Sequence, residues 1–329
     1  MMVEKITLGK ALNHGLRRSL ESDSKVVIMG EDVGKLGGVF RITDGLQKDF
    51  GEDRVIDTPL AEAGIVGTAV GLAIRGYRPV CEIQFDGFVF PAYNQIVAQV
   101  AKMYFRSLGN VRLPIVIRIP YGGGIGAVEH HSESPEAYFA HTPGLKVVTC
   151  SNPADAYVMI QQAIASDDPI VFFEPKRRYW EKGDVDLDAG LAGAYPLHAS
   201  RVVREGSDAT VIAYGPMVRV ALDAAAAAEE DGRSLEVIDL RTLSPLDLGP
   251  VYDSVRRTGR AVVVHEAPGN LGMGSEIAAR ITEECFYSLE APVLRVTGYD
   301  TPYPAARVEE EYLPDLDRVL DAVDRSFGW

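Results

Sequence analysis

Two ionisable positions stand where side chains of their type do chemistry. Glu62 opens a stretch, residues 63–74 (AGIVGTAVGLAI), that carries no charge. A helix apolar all round should be buried. A carboxyl group held in such a place has its pKa raised, by up to ~3–5 units when fully enclosed, and then exchanges protons near neutral pH. The position also suits an ordinary helix-start acid, which the helix dipole favours. The second position is the pair His130 and His131. It follows a glycine-rich loop (YGGGIG, 121–126) and precedes SESP, which reads as a helix start with proline in the first turn. An imidazole at such a loop tip can pass protons near neutral pH. Gln84 and Phe88 lie at and beyond the end of an apolar strand. There an amide can hydrogen-bond a ligand and a ring can stack on one, although Gln84 equally suits a satisfied polar residue at a strand end. Glu31 follows another short apolar run, at the strand end where open α/β sheets bind ligands; a solvated acid would sit there too. His14, His198 and His265 read as structural, and His141 as a cap at a helix C-terminus.

The elements that position these residues alternate along the chain. Thr7 caps a helix whose apolar residues Leu8, Ala11, Leu12, Leu16 and Leu20 recur at helical spacing. Strands are expected at 25–29, 79–85, 113–119, 145–149 and 169–174, with helices at 62–75, 91–107, 134–140 and 153–166 between them. Residues 181–200 turn acidic and glycine-containing and read as a linker. Beyond it, strands at 209–214, 235–239, 260–265 and 292–296 alternate with helices at 217–230, 247–257, 274–287 and 315–326. Alternation of this kind implies parallel sheets with helices on both faces, an α/β class of two doubly wound domains. The boundaries are 1–180, a linker at 181–200, and 201–329.

Composition narrows the function. A length of 329 residues, 47% of them hydrophobic, supports two sizeable cores. The net charge of −14 argues against nucleic acid or an anionic membrane as partner. Cys81, Cys150 and Cys285 are widely spaced and odd in number, which suits buried thiols in a reducing compartment. No spacing suggests zinc. No apolar run is long enough for a secretory signal or a membrane span. A soluble, cytoplasmic protein is expected.

Four motifs in order give a family resemblance. DTPLAEAGIVG (57–67), EIQFDGFVFPAYNQI (82–96), HHSESPEAYFAHTPGLKVV (130–148) and DDPIVFFEPK (167–176) resemble the beta subunit of a thiamine diphosphate-dependent 2-oxo acid dehydrogenase. FFEPKRRYW and VTGYDTPYP are more similar to the branched-chain members than to the pyruvate members. The resemblance covers nearly the whole chain. It implies a pyrimidine-binding domain of the thiamine diphosphate type followed by a domain of the transketolase C-terminal type.

The resemblance also implies roles. Glu62 would exchange a proton with the cofactor's pyrimidine ring, Phe88 would stack on that ring, Leu60 would offer it a backbone carbonyl, and Gln84 would lie near cofactor or substrate. Many relatives carry Tyr where Phe88 stands. The spacing to SESPEA selects His131 for substrate handling and acyl transfer to a lipoyl arm. Glu31 would belong to a proton path between paired sites. Ile115, Ala163 and Asp168 match a potassium site, although Ser166 stands where some relatives have Asp. The Gly-Asp-Gly motif that holds magnesium and the diphosphate is absent, so an alpha subunit would supply that half, in an alpha2beta2 heterotetramer. The implied activity is oxidative decarboxylation of a 2-oxo acid, branched-chain for preference, with reductive acylation of lipoyl-lysine on a dihydrolipoyl acyltransferase core. The second domain would dock that core's subunit-binding domain. A pyruvate or acetoin dehydrogenase subunit and a non-catalytic scaffold subunit are the alternatives.

Overall fold

The computed structural model describes residues 3–191 and 194–329. By contacts the chain forms two units, Met1–Tyr121 with Tyr138–Leu197, and Gly122–Ala137 with His198–Trp329. The loop bearing His131 therefore clusters with the second unit, although it lies within the span 1–180.

The first unit is built on parallel strands in the order β6–β7–β5–β4–β2–β3. These are β2 (Val26–Gly30), β3 (Val55–Asp57), β4 (Arg78–Glu82), β5 (Val116–Tyr121), β6 (Lys146–Thr149) and β7 (Ile170–Pro175). β2, β5 and β7 are buried along their whole length, as central strands covered on both faces must be. α1 (Leu8–Ser22) presents buried Leu8, Leu12 and Leu16 to the sheet and packs on α6 (Pro153–Ala165). Thr7 caps α1 through its side chain, and Asn152 caps α6 the same way, with proline following. Two short helices, α2 (Leu46–Phe50) and α4 (Met103–Arg106), and the longer α3 (Glu62–Ile74) complete this part.

Two expectations change here. Residues 91–107 do not form one helix: a 3₁₀ turn runs Asp86–Ala92, a π-helical turn Gln95–Val100, and only Met103–Arg106 is α-helical. Pro91 lies inside the 3₁₀ turn and has no N–H to donate, which breaks the regular ladder. The start of the segment read as a linker is β8 (Lys182–Asp186), which pairs antiparallel with β1 (Val3–Thr7). 

In the second unit the strand order is β14–β13–β10–β11–β9, parallel except for β9. Its strands are β9 (Arg201–Arg204), β10 (Ala209–Ala213), β11 (Leu235–Asp239), β13 (Ala261–Pro268) and β14 (Leu294–Gly298), with a short β12 (Thr242–Ser244). α7 (Met217–Glu230) and α11 (Leu316–Ser326) share a core with Val211, Val237, Val262 and Val264. Thr210 points to the other face by strand alternation. There its hydroxyl meets Ser254 and Thr258 of α8 (Gly249–Thr258) at 2.6 and 2.8 Å. Helices thus cover both faces. α9 (Met273–Cys285) and α10 (Glu309–Tyr312) follow; α5 (Glu136–Ala140) begins in the His131 segment.

Candidate active site

The strand order of the first unit reverses at β2, which has β3 on one side and β4 on the other. Open α/β sheets bind ligands beyond the strand ends at such a point. Glu31 follows β2, Leu60 follows β3, and Gln84 follows β4, so the topology gathers three of the expected residues. The Gln84 amide reaches the Glu31 carbonyl at 3.5 Å and the Asp32 carboxylate at 3.4 Å. Leu60 is 82% exposed, and Glu62, the first residue of α3, is half-buried.

Glu31 is buried, and its Oε1 has no hydrogen-bond partner among the described residues. Its carboxyl is pushed up first by burial, then by the charges of Glu62 and Asp32, against a hydrogen bond from the Ala61 backbone. Glu31 and Glu62 thus form an interacting acidic pair at the switch point. No side chain caps α3, and Glu62 stands in its first turn, where the helix dipole favours an acid. The helix is not buried all round. Ile65, Val66, Ala69 and Ala73 are enclosed, while Ala63, Gly64, Thr68, Gly71 and Ile74 are exposed.

Phe88 lies in the 3₁₀ turn after β4 and is half-buried, edge-on to Phe85 with centroids 5.9 Å apart. Beneath that turn is an ionic cluster that pattern reading missed. Arg118 of β5 bonds Glu174 through Nε at 2.6 Å and Nη2 at 2.9 Å, and Glu82 through Nη1 at 2.6 Å. The Tyr179 hydroxyl donates to Glu174 at 2.6 Å. Burial disfavours the Arg118 charge, but Glu174 and Glu82 hold its proton above the usual arginine range. Lys176, just past β7, forms an enclosed ion pair with Asp86 at the start of the Phe88 turn. The signal for this cluster was the charge inside otherwise apolar strands, since a buried charge requires a partner.

Each potassium candidate has a partner in the structure. The Ile115 carbonyl accepts the Ile170 N–H at 2.9 Å, and the Ala163 carbonyl accepts the Ser166 N–H at 3.2 Å. Asp168 is in a 2.6 Å ion pair with Lys146. Among the described residues no three His, Cys, Asp or Glu side chains are grouped to hold a metal.

In the second unit, His131 ends a 3₁₀ turn, Glu129–His131, and its ring lies 4.3 Å from that of exposed His130. His131 is half-buried and donates its backbone N–H to Val128 at 2.9 Å. His265 is fully buried, which pushes its pKa down to about 4 despite a backbone hydrogen bond at Ala267. Its Nε2 accepts the Gly274 N–H at 3.1 Å, a structural role. All three cysteines are buried and unpaired by disulfides, and burial pushes the Cys81 thiol up to about 12. Among the described residues no helix is long and apolar enough to cross a membrane.

Comparison with known proteins accounts for both units. Residues 4–181 match the family described as transketolase, pyrimidine binding domain, and residues 198–319 match transketolase, C-terminal domain. The pyruvate dehydrogenase E1 component subunit beta of Leifsonia xyli is 64% identical over 327 residues, covering 99% of this chain and 96% of that protein. The 3-methyl-2-oxobutanoate dehydrogenase subunit beta of Mycobacterium tuberculosis is 52% identical over 325 residues, covering 98% and 92%. A solved split-gene transketolase, an inactive beta4 tetramer, shares the fold with a TM-score of 0.79 at 22% identity, covering 99% of both chains.

Proposed function

Because the chain belongs to the E1 beta subunits of the 2-oxo acid dehydrogenases, with the transketolase pyrimidine-binding and C-terminal domains, we propose that it supplies the pyrimidine half of a thiamine diphosphate site. The observation that carries this reading is the acidic pair Glu31 and Glu62 at the sheet's switch point, with one buried Glu31 oxygen unpartnered. That donor set fits the cofactor's aminopyrimidine, which carries ring nitrogens and an amino group. In this reading residues 1–180 together with strand β8 form the pyrimidine-binding domain, the rest of 181–200 is the linker and 201–329 the C-terminal domain.

When bound, thiamine diphosphate supplies an acidic thiazolium carbon and an electron sink for decarboxylation. Glu62 would hold or release the proton at the pyrimidine ring nitrogen, and Glu31 would belong to a proton path between paired sites. The Leu60 carbonyl would accept from the ring's amino group, Phe88 would stack on its face, and Gln84, which reaches Glu31 and Asp32, would lie near cofactor or substrate. His131 passes protons in substrate handling and in acyl transfer to the lipoyl arm. Ile115 and Ala163 through their carbonyls, and Asp168 through its carboxylate, which also pairs with Lys146, would be the oxygens to hold potassium; no step runs through that ion. Magnesium belongs to the alpha subunit with the diphosphate.

The assembly follows from the half-site: an alpha2beta2 heterotetramer, docked on a dihydrolipoyl acyltransferase core through that core's subunit-binding domain. The exposed small-residue face of α3 suits close approach by another chain's backbone. A net charge of −14 suits a basic docking partner, with binding that weakens as salt rises. Three buried thiols suit a reducing compartment, and we place the complex in the cytoplasm.

The test is Glu62→Gln in the complex reconstituted from alpha, beta and lipoylated acyltransferase. Decarboxylation should fall at least ~100-fold with assembly intact; full turnover by this variant would reduce the chain to a scaffold. The substrate is read as a branched-chain 2-oxo acid. The second reading, pyruvate, is favoured by the 64% identity to a protein of that name. Turnover of 3-methyl-2-oxobutanoate against pyruvate separates the two.

A further inference from the structure

Glycines 122, 123, 124 and 126 precede His131 in a loop that no regular ladder holds. Gly122, Gly124 and Gly126 have φ of 83, 81 and 71°, the left-handed region that glycine enters without cost. Such a loop has many conformers to choose from, and ordering it costs conformational entropy. Two buried carboxylates of the second unit select one. Glu266 on β13 accepts the Gly123 N–H at 3.0 Å. Glu309, the first residue of α10, accepts the Gly124 N–H at 3.1 Å on one oxygen and the Gly126 N–H at 2.7 Å on the other. The Tyr303 hydroxyl donates to Glu309 at 2.7 Å and itself accepts the Gly124 N–H at 3.3 Å. Glu266 and Glu309 are 4% and 5% exposed, so these are charge-assisted bonds shielded from water.

The fit is tight at Gly122 and Gly123. A Cβ added at Gly123 would collide with the Tyr303 hydroxyl, and one at Gly122 would lie 2.6 Å from Glu266. The far end of the same segment is tied down as well: the Tyr214 hydroxyl donates to buried Glu136 at 2.6 Å. The Gly122 N–H closes the segment on itself through the Glu133 carbonyl at 2.9 Å.

We propose that Glu266 and Glu309, with Tyr303, are positioning residues that fix the glycine loop and thereby the placement of His131. None of them is needed to touch substrate or cofactor. The inference rests on the reading of His131 as a proton-transfer residue. It makes the C-terminal unit a determinant of the chemistry as well as of assembly.

The experiment uses beta chains carrying Glu309→Gln or Tyr303→Phe, each alone and combined with His131→Ala, assembled with the alpha subunit and lipoylated core. Glu309→Gln should lower acyl-transfer turnover by ~10-fold, and Tyr303→Phe by less. The tyrosine variant keeps the question answerable if the glutamine one does not fold. In combination with His131→Ala neither should cost anything more, because the placement of an absent imidazole is immaterial. Losses that multiply would overturn the proposal. Hydrogen exchange at the Gly124 and Gly126 amides is the independent check. It should quicken by ~10-fold in Glu309→Gln, and unchanged exchange would overturn the clamp whatever the activity. Quickened exchange together with a fully active His131→Ala enzyme supports the clamp and rejects the chemical role of His131.

Discussion

Arg118 and Glu174 meet in a two-pronged ion pair inside the first unit, with both side chains at 0% exposure. The guanidinium's third contact, to Glu82, sets it between two enclosed carboxylates. Removing it is therefore worse than removing a surface charge. Arg118→Met should destabilise the chain by about 3–5 kcal/mol, because it leaves two buried acids facing each other. Arg118→Lys keeps the charge but loses the fork and should fall between. Urea midpoints rank the three proteins; an unshifted midpoint for the methionine variant would show the cluster to be energetically idle.

If Phe88 stacks on the cofactor as proposed, the neighbouring pair, Lys176 and Asp86, bears on cofactor binding. Asp86 begins the turn that carries Phe88, and the Lys176 ammonium also sits 5.7 Å from the centroid of the Phe85 ring. Asp86→Asn takes a carboxylate away from that ammonium and loosens the turn. We expect the thiamine diphosphate needed for half-maximal activity to rise ~10-fold with kcat largely kept. A fall in kcat at unchanged cofactor affinity would mean that the pair does not act through Phe88.

His265 makes the second unit sensitive to acid. Its pKa is 6.5 when unfolded and about 4 when folded, so below pH 6.5 the unfolded chain takes up a proton that the folded chain refuses. Its contribution is complete above pH 6.5 and is lost as pH falls toward 4, by about 3 kcal/mol in total. His265→Gln keeps an acceptor for the Gly274 N–H and should flatten that part of the stability profile. Parallel profiles for the two proteins would assign the acid sensitivity elsewhere.

Gly15 lies in α1 where it crosses α6. Alanine is the better helix former by about 1 kcal/mol, but its methyl group would lie 2.9 Å from the Tyr157 carbonyl and collide with Ile160. Overpacking against backbone costs about 1–3 kcal/mol, so Gly15→Ala should be destabilising on balance. A raised melting temperature would show that the helices can part at little cost.

Some of this was legible before any coordinates. Val26–Met29 and Ile170–Phe173 are unbroken apolar runs, and they became central parallel strands. Thr7 and Asn152 stand where helix caps must. The gathering of Glu31, Leu60 and Gln84 depends on strand order, which no local pattern encodes. Glu82 and Arg118 pair across 36 residues of sequence and Arg118 and Glu174 across 56, beyond any periodicity. Apolar composition foretold a buried α3, but it cannot distinguish a core face from a face left open within one chain. β1 and β8 were missed because VEKIT and KGDVD mix charges with partly exposed residues. Reading domains as contiguous spans also placed His131 with residues 1–180, whereas Glu266 and Glu309 hold its loop in the other unit.

The β1–β8 ribbon has a consequence for how the chain is made. Val3–Thr7 is synthesised well ahead of its hydrogen-bonding mate, residues 182–186, and the Leu8 and Gly9 amides wait for the carbonyls of Glu181 and Tyr179. Translation at ~5–20 residues per second leaves that amino-terminal edge without its mate for many seconds. Closure of the first half is thus timed by synthesis of its last strand, and a transcript truncated ahead of it yields a fragment with an open seam.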